Sequence, residues 1–206
     1  MDRYHHGDLR RALIEATEAL LADRGPEGFS LREVARRAGV SPAAPAHHFR
    51  DAAGLLTAVA TEGFDGLAAA LRAGAAGAGR DPRRRLVGQG IAYVEYALRF
   101  PGRFRLMFGA VLHADDAELQ RGGNAAFGVL EDGVRDACGI APGRPLTKAA
   151  WTALLALWSV VHGYAHLANA GRLDPCAGGR SRECLVADTL GPVLQGVVRG
   201  CVPQRR

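Results

Sequence analysis

Along most of the chain, apolar residues recur at every third or fourth position, which is the spacing of an α-helix with one buried face. Within residues 8–24, for example, the apolar side consists of Leu9, Leu13, Ala16 and Leu20. Pairs such as Gly25-Pro26 and Pro101-Gly102 interrupt the pattern. No stretch alternates with the two-residue period of a strand. The pattern therefore predicts an all-α protein.

The pattern and its interruptions predict about nine helices. We place them at residues 8–24, 31–38, 42–49, 51–73, 83–100, 103–112, 115–138, 146–170 and 182–200. The stretch 74–82 is rich in alanine and glycine, and we predict it to be a linker. We accordingly expect an N-terminal domain over residues 1–73 and a C-terminal domain over residues 82–206.

Two short helices separated by a glycine-containing turn are predicted between Phe29 and Phe49. Ser30 and Glu33 have the spacing of a capping box, in which each side chain accepts a hydrogen bond from the backbone amide of the other residue. Gly39 can adopt the left-handed conformation that ends a helix. The first of the two helices is therefore expected to start after Ser30 and to stop before Gly39.

The second short helix is expected to have Ser41 as its N-cap and Pro42 at its first position. Two short helices joined in this way describe a helix-turn-helix, whose second helix can lie in the major groove of DNA. The same spacing also occurs in small helical proteins that bind no DNA. The spacing alone leaves both interpretations open.

Three segments of this chain, YHHGDLRRALIEAT, FSLREVARRAGVSPAAPAHHF and LLTAVA, together resemble the N-terminal domain of the TetR family of bacterial transcriptional regulators. The resemblance covers residues 4–64 without a gap. It implies that DNA is contacted by residues from both motif helices and their flanks: Ser30, Arg32, Ser41, Pro42, Ala43, Ala44, His47, His48 and Arg50. The start of the second motif helix would face the groove, and the two histidines would face the DNA backbone.

Two positions depart from the pattern of that family. Ala46 stands where the family usually has tyrosine, and Ala52 stands where it usually has lysine. Both family residues commonly touch phosphates, so we expect weaker DNA binding with a smaller salt dependence. Arg50 is a candidate to compensate. His48 has a second interpretation, in which its ring packs against the aromatic core.

The helix predicted at residues 146–170 is apolar over most of its circumference, so both of its sides need to be covered. We expect a second copy of the chain to cover one side, with the 146–170 and 182–200 helices forming half of a symmetric four-helix bundle. The alternative is that both helices belong to the core of a monomer. The segment from Trp158 to Gly163 also resembles a tryptophan–histidine–glycine signature of one TetR subgroup.

The C-terminal part is expected to bind a small, mostly apolar effector. The candidate ligand-binding residues are mainly aromatic and lie on several helices: Tyr93, Phe104, Met107, Phe108, Phe127, Trp158 and His162. Tyr93 or His162 would supply the polar contact of such a pocket. For each of these residues, an ordinary place in the core is the competing interpretation.

Composition adds only weak constraints. The formal net charge of +5 permits binding to nucleic acid without demonstrating it. The longest apolar stretch, residues 149–161, is shorter than the ~20 residues that a membrane-spanning helix needs. We therefore expect a cytoplasmic protein that does not span a membrane, with free thiols at its four separated cysteines. We expect no metal site and no cofactor.

No catalytic motif was found in the chain, so we predict that it is not an enzyme. The favoured interpretation is a ligand-responsive transcriptional repressor. It would bind a palindromic operator in double-stranded DNA as a homodimer and would be released by a small molecule. The alternative is a helical small-molecule sensor or carrier whose DNA binding has weakened.

Overall fold

The computed structural model describes residues 6–109, 112–176, 178–179 and 181–201, and none of these residues lies in a strand. The first eight helices are α1 (His6–Arg24), α2 (Leu31–Arg37), α3 (Ala44–Phe49), α4 (Ala52–Gly77), α5 (Pro82–Arg99), α6 (Pro101–Met107), α7 (Ala117–Cys138) and α8 (Lys148–Asn169). The ninth, α9, consists of Arg182–Leu185, a π-helical turn at Val186–Leu190 and a final α-helical part at Gly191–Cys201. The prediction of an all-α fold with about nine helices is confirmed.

Several helix ends differ from the predicted ones. Helix α4 continues to Gly77 rather than stopping at residue 73, which leaves only residues 78–81 to join it to α5. The extra turn is stable because Ala75 is buried and Gly74 packs against the backbone of Gly88. Helix α6 starts at Pro101 instead of residue 103, since proline is well tolerated in a first helical turn. It ends at Met107, before the predicted residue 112.

The described residues form two compact units that interleave along the chain. The N-terminal unit contains those up to Asp65 together with Phe100–Gly123, and the C-terminal unit contains Gly66–Arg99 together with those from Asn124 onward. Both α4 and α7 therefore contribute to both units. The units do not coincide with the two consecutive segments, 1–73 and 82–206, that the sequence predicts as domains.

In the N-terminal unit, the predicted apolar face of α1 is buried, with Leu13 and Leu20 fully inside. Helix α6 packs against α1 at very short range, because a side chain at Gly102 would collide with the backbone of Leu21. An ion pair between Arg103 and Glu18 joins the same two helices. Segment 100–123 is thereby part of the scaffold that supports the first three helices.

In the C-terminal unit, α5, α8 and α9 pack against one another. Leu154 of α8 and Leu194 of α9 are completely buried. Thr189, in the π-helical turn of α9, donates a hydrogen bond to the carbonyl of Leu185. Pro192, two residues after the end of the turn, lacks the amide hydrogen that a regular helix would use there, which accounts for the irregular turn.

Helix α4 is the one helix in the described ranges that is long and apolar enough to cross a membrane by length and composition. Half of its most apolar window is buried within the structure, as is typical of a core helix. The longest uncharged apolar stretch, residues 149–161, lies in a different helix, α8.

Two glycines of α4 provide a matched test of the helix packing in the C-terminal unit. A Cβ at Gly74 would lie 2.5 Å from the carbonyl oxygen of Gly88, whereas a Cβ at Gly77 would meet no atom within 4 Å. We expect Gly74→Ala to lower the free energy of unfolding by about 1–3 kcal/mol, because the two helices must move apart. Gly77→Ala should be neutral or stabilising by up to about 1 kcal/mol. Urea unfolding of both variants checks this, and equal effects would contradict the packing.

Candidate functional site

The first motif helix, α2, begins at an extended Ser30 (φ −149°, ψ 122°), as expected for an N-cap. The predicted capping box is nevertheless wrong, since the Ser30 side chain makes no capping hydrogen bond. The Glu33 carboxylate instead accepts hydrogen bonds from Arg36 at 2.7 and 2.8 Å and from Arg37 at 3.2 Å. Bonds to a guanidinium are charge-assisted and outcompete a bond to a neutral amide.

This carboxylate is the centre of a charged network that the sequence analysis missed. Hydrogen bonds from Arg36, and then from Arg37, lower the pKa of Glu33 to about 2. Arg37 also donates to Asp23 of α1 over 2.7 Å. The spacing of Glu33 to both arginines was visible in the sequence as neighbouring positions on a helix. The contact with Asp23 depends on the tertiary packing of α1 against α2.

The turn between the two motif helices has the predicted left-handed glycine. Gly39 has a φ of 69°, and its N–H donates to the carbonyl of Arg36 over 3.2 Å. The N–H of Val40 donates to the carbonyl of Ala35 over 3.0 Å. These two bonds form a Schellman motif, which satisfies the last carbonyls of α2 and directs the chain into the second motif helix.

The second motif helix, α3, begins at Ala44, two residues later than predicted. The predicted roles of Ser41 as N-cap and Pro42 as first helical residue are therefore wrong. A helix starting at Pro42 would need an amide hydrogen at residue 45 to bond the carbonyl of Ser41, and Pro45 has none. The N–H of Ala44 bonds that carbonyl instead, over 3.0 Å, so that residues 41–44 form a turn.

One side of α3 faces the interior and the other faces solvent. Pro45 and Phe49 are buried, and the guanidinium of Arg10 lies over the Phe49 ring at 5.3 Å. The exposed side, together with the preceding turn, consists of Ser41, Pro42, Ala43, Ala46 and His47. Ala44 is half-buried. This short, exposed surface is the one that could enter a groove of DNA.

The remaining predicted DNA contacts lie in α2, at its N-cap, and at the end of α3. Ser30, Arg32 and Arg50 are exposed. His48 is half-buried, and its ring centroid lies 6.4 Å from that of Phe49. Part of the ring therefore packs against the core, as the alternative interpretation of His48 expects. Whether any of these residues contacts DNA stays a prediction.

The predicted ligand-binding residues fall into two groups in different units. Phe104, Met107 and Phe108 belong to the N-terminal unit, where the rings of Phe104 and Phe108 are 5.0 Å apart. Phe108 also contacts Phe64 edge-on at 5.6 Å, and Phe104 is fully buried. This first group therefore packs as core around α6.

The second group lies in the C-terminal unit and forms a hydrogen-bonded cluster. Phe127 meets Trp158 edge-on at 5.6 Å, and Trp158 is hydrogen-bonded to Tyr93. The Tyr93 hydroxyl lies 2.8 Å from Nδ1 of His162. His166, which the sequence analysis did not single out, has its Nε2 3.1 Å from Nε2 of His162. The four-residue spacing of the two histidines on α8 was a signal for this pair.

Burial also shapes the electrostatics of this cluster. It raises the pKa of Tyr93, so the hydroxyl beside Nδ1 of His162 stays protonated. Burial first, and then the nearby His166, lower the pKa of His162. A neutral imidazole donates at one ring nitrogen and accepts at the other, so His162 can bond the Tyr93 hydroxyl with one and His166 with the other. The polar groups of the predicted pocket are thus already bonded to one another.

Cavities in the C-terminal unit lie beside other residues. One of about 670 Å³ has an apolar floor that includes Val87, Ile91 and Val198, with Arg83 and Arg199 also lining it. Another, of about 290 Å³, lies between α4, α5 and α7 and includes Gln89 and Val129. Neither is lined by a predicted ligand-binding residue. In the part of the chain that the structure describes, no cluster of three or more side chains suited to a metal ion was found.

Two family models match the chain one after the other. The model described as "Bacterial regulatory proteins, tetR family" covers residues 13–59, and the model described as "Tetracyclin repressor-like, C-terminal domain" covers residues 86–187. The first match contains the whole of α2, the turn at Gly39 and α3. The second contains the cluster around His162.

Individual proteins are similar to all or part of this chain. A protein of unknown function from Rhodococcus sp. RHA1 is similar at 33% identity and a TM-score of 0.80, over 98% of this chain and 100% of that one. A TetR family transcription regulator from Marinobacter aquaeolei VT8 shares the fold, with a TM-score of 0.65 and 20% identity over 97% of each chain. The HTH-type transcriptional regulator BetI of Pectobacterium carotovorum is 51% identical over 49 residues, which is 24% of this chain and 25% of BetI.

The exposed motif helix and the matched models define a DNA-binding transcription regulator of the helix-turn-helix class, with a C-terminal ligand-binding domain. The chain belongs to the TetR family. Its function therefore lies in regulating transcription rather than in catalysis. The finer resemblance of Trp158–Gly163 to one subgroup of the family stays a prediction.

The hydrogen-bonded cluster makes stability depend on pH. His162 has a lowered pKa in the folded chain, so its contribution is complete above its ordinary pKa of 6.5 and is lost as the pH falls through the lower folded value. We expect the free energy of unfolding to drop between pH 7 and pH 5. His162→Gln should flatten that drop, because it removes the titrating group. Urea unfolding across this range provides the measurement, and an unchanged pH dependence in His162→Gln would contradict the assignment.

Proposed function

We propose that this regulator represses transcription by binding a palindromic operator as a homodimer and that a small, mostly apolar effector releases it. Each copy would present its α3 to the major groove, with half-sites about one helical turn, ~34–36 Å, apart. The effector can act only by binding the released state more tightly than the DNA-bound state. The protein would act in the cytoplasm.

The observation that carries the DNA-binding part is the exposed surface made by the turn Ser41–Ala43 and by Ala46 and His47 of α3, whose other side is anchored by Phe49. Small side chains at Ala43 and Ala46 let the helix backbone approach base edges closely. An apolar contact with thymine methyl groups is the readout that such side chains allow. Arg32 and Arg50 would add phosphate contacts from either side.

Homodimer formation through α8 and α9 is supported by the apolar side chains that these helices leave exposed: Trp151, Leu155, Leu167 and Val193. Between them, Ser159 and Gly163 of α8 are exposed and small, and a Cβ at Gly163 would meet no atom within 4 Å. A helix with apolar ends and a small-residue centre on its open side can pack closely against a second copy. Such a contact would be isologous.

The effector is proposed to bind in the C-terminal unit at the cluster of Tyr93, Phe127, Trp158 and His162. A ligand with an aromatic or aliphatic body would contact the rings. If the ligand formed a hydrogen bond with Tyr93 or His162, it would have to replace the hydrogen bond that these two residues form with each other. Phe104, Met107 and Phe108 would support the N-terminal unit instead of contacting the effector.

A second candidate function is a ligand sensor with weakened DNA binding, and one observation favours it. Ala46 is exposed on α3, and Ala52 is the first residue of α4, so neither position supplies the phosphate contact that its usual family residue would make. The two candidates differ in the DNA affinity of the unmodified chain. Binding to the DNA upstream of its own gene, measured over a salt series, separates them.

We expect the chain to bind this upstream DNA at ~150 mM salt. Ala52→Lys should tighten binding and steepen the plot of log K against log salt by about 0.9, because one more phosphate is neutralised. Ala52→Gln is the matched control, since it adds length without charge and should leave the slope unchanged. A chain that binds no DNA at this salt, and gains nothing from the lysine, would support the sensor instead.

Leu155→Glu tests the proposed dimer, because it places a charge in the exposed apolar surface of α8. We expect the unmodified chain to have a solution mass of twice its 21.7 kDa. The variant should have the mass of one chain while remaining helical. Ala76→Glu, at an exposed position of α4, is the control and should stay dimeric. Light scattering after size-exclusion chromatography gives the masses, and a monomeric unmodified chain would overturn the proposal.

A further inference from the structure

The connection between α3 and α4 contains an unusual backbone conformation. Arg50 has φ 63° and ψ −55°, and it is the one non-glycine residue with a positive φ among the described residues. The N–H of Asp51 donates to the carbonyl of Phe49 over 2.6 Å. These features define a three-residue γ-turn of the rarer, strained form. Such a turn persists only where surrounding contacts hold it.

Asp51 provides contacts on the α4 side of this turn. Its carboxylate accepts a hydrogen bond from the N–H of Gly54 at 2.8 Å and so caps the start of α4. A side chain at Gly54 would collide with the carbonyl of Phe49, so the end of α3 lies directly against the first turn of α4. The pKa of Asp51 is lowered, first by the Gly54 amide and then by His113, which keeps the carboxylate charged at neutral pH.

His113 reaches the same carboxylate from a distant part of the sequence. Its Nε2 lies 3.2 Å from Oδ1 of Asp51, and its backbone N–H donates to the hydroxyl of the buried Thr57 over 3.1 Å. The segment before α7 is thereby attached to α4 at two points. One of these points, Asp51, is the last residue of the strained turn.

We propose that His113 is a positioning residue for the DNA-binding surface: by holding Asp51, it maintains the strained turn at Arg50 and so fixes the direction of α3. The inference rests on the proposed function only where DNA affinity is concerned. The link between His113 and the conformation of α3 can be measured without DNA. His113 itself contacts neither base nor phosphate in this assignment.

The chain offers a graded set of variants for the test. His113→Leu removes the donor, whereas His113→Gln keeps an N–H that can reach the same carboxylate. Asp51→Asn keeps an N-cap but removes the charge. Gln120→Leu is the matched control, because Gln120 donates to the carbonyl of Ala114 over 2.9 Å and holds the same segment without touching Asp51.

Hydrogen exchange of the free protein is the first measurement. We expect His113→Leu to speed exchange in residues 44–51, and His113→Gln to restore slow exchange there. Gln120→Leu should speed exchange only in residues 112–116. A combined His113→Leu and Asp51→Asn variant should exchange no faster in residues 44–51 than His113→Leu alone. Unchanged exchange in residues 44–51, or an equal rise throughout the N-terminal unit, would overturn the inference.

Affinity for the DNA upstream of the gene is the second measurement. His113→Leu should weaken it about two- to fivefold, the effect of losing one partly exposed hydrogen bond, and His113→Gln should retain it within about twofold. If the unmodified chain binds this DNA and His113→Leu binds it equally well, the inference is also overturned. If the unmodified chain binds no DNA, the proposed function fails while the exchange experiment still decides the role of His113.

Discussion

A helix of six residues is too short to be stable by itself in water, and α3 is such a helix. Its shape and direction therefore depend on the contacts at its two ends and on its buried side. The Schellman turn at Gly39 holds the entrance, and the γ-turn at Arg50 holds the exit. Phe49, beneath the Arg10 guanidinium, anchors the helix to the unit. Any role of α3 in binding DNA presupposes these three restraints.

The supports of α3 come from separate parts of the sequence. Arg10 belongs to α1, whereas His113 belongs to a segment that follows α6. That segment is part of the N-terminal unit, although 34 residues assigned to the other unit, Gly66–Arg99, precede α6 in the chain. The interleaved arrangement places His113, from the middle of the chain, against Asp51 and Thr57, directly after α3. We therefore expect a change at His113 to alter α3.

The C-terminal unit combines a closed interior with an open surface. Leu154 and Leu194 complete its core, whereas Leu155, one residue further along α8, is exposed. The two polar ligand candidates of this unit, Tyr93 and His162, are hydrogen-bonded to each other. Their polar atoms therefore already have a partner within the protein. A ligand at this cluster must compete with an existing network, which favours effectors that gain most from their apolar contacts.

Local patterns predicted much of the fold and part of the site. The helical period, the punctuation by glycine and proline, and the left-handed turn at Gly39 depend on neighbouring residues, and the structure confirms them. The predicted capping box failed because Arg36 and Arg37 compete for Glu33, a competition among close neighbours that the motif ignores. The start of α3 was misplaced because the missing amide of Pro45 was overlooked.

The sequence by itself determined the helical class, the motif and its family, because these depend on short-range periodicity and on residue types at fixed spacing. Only the tertiary structure decided which distant groups meet. It brought Tyr93 to His162 across 69 positions and His113 to Asp51 across 62, and it assigned Phe104 to a different unit from Tyr93. The physical reason is that such contacts depend on how whole helices pack. Helix packing is a property of complete buried faces and not of any local run of residues.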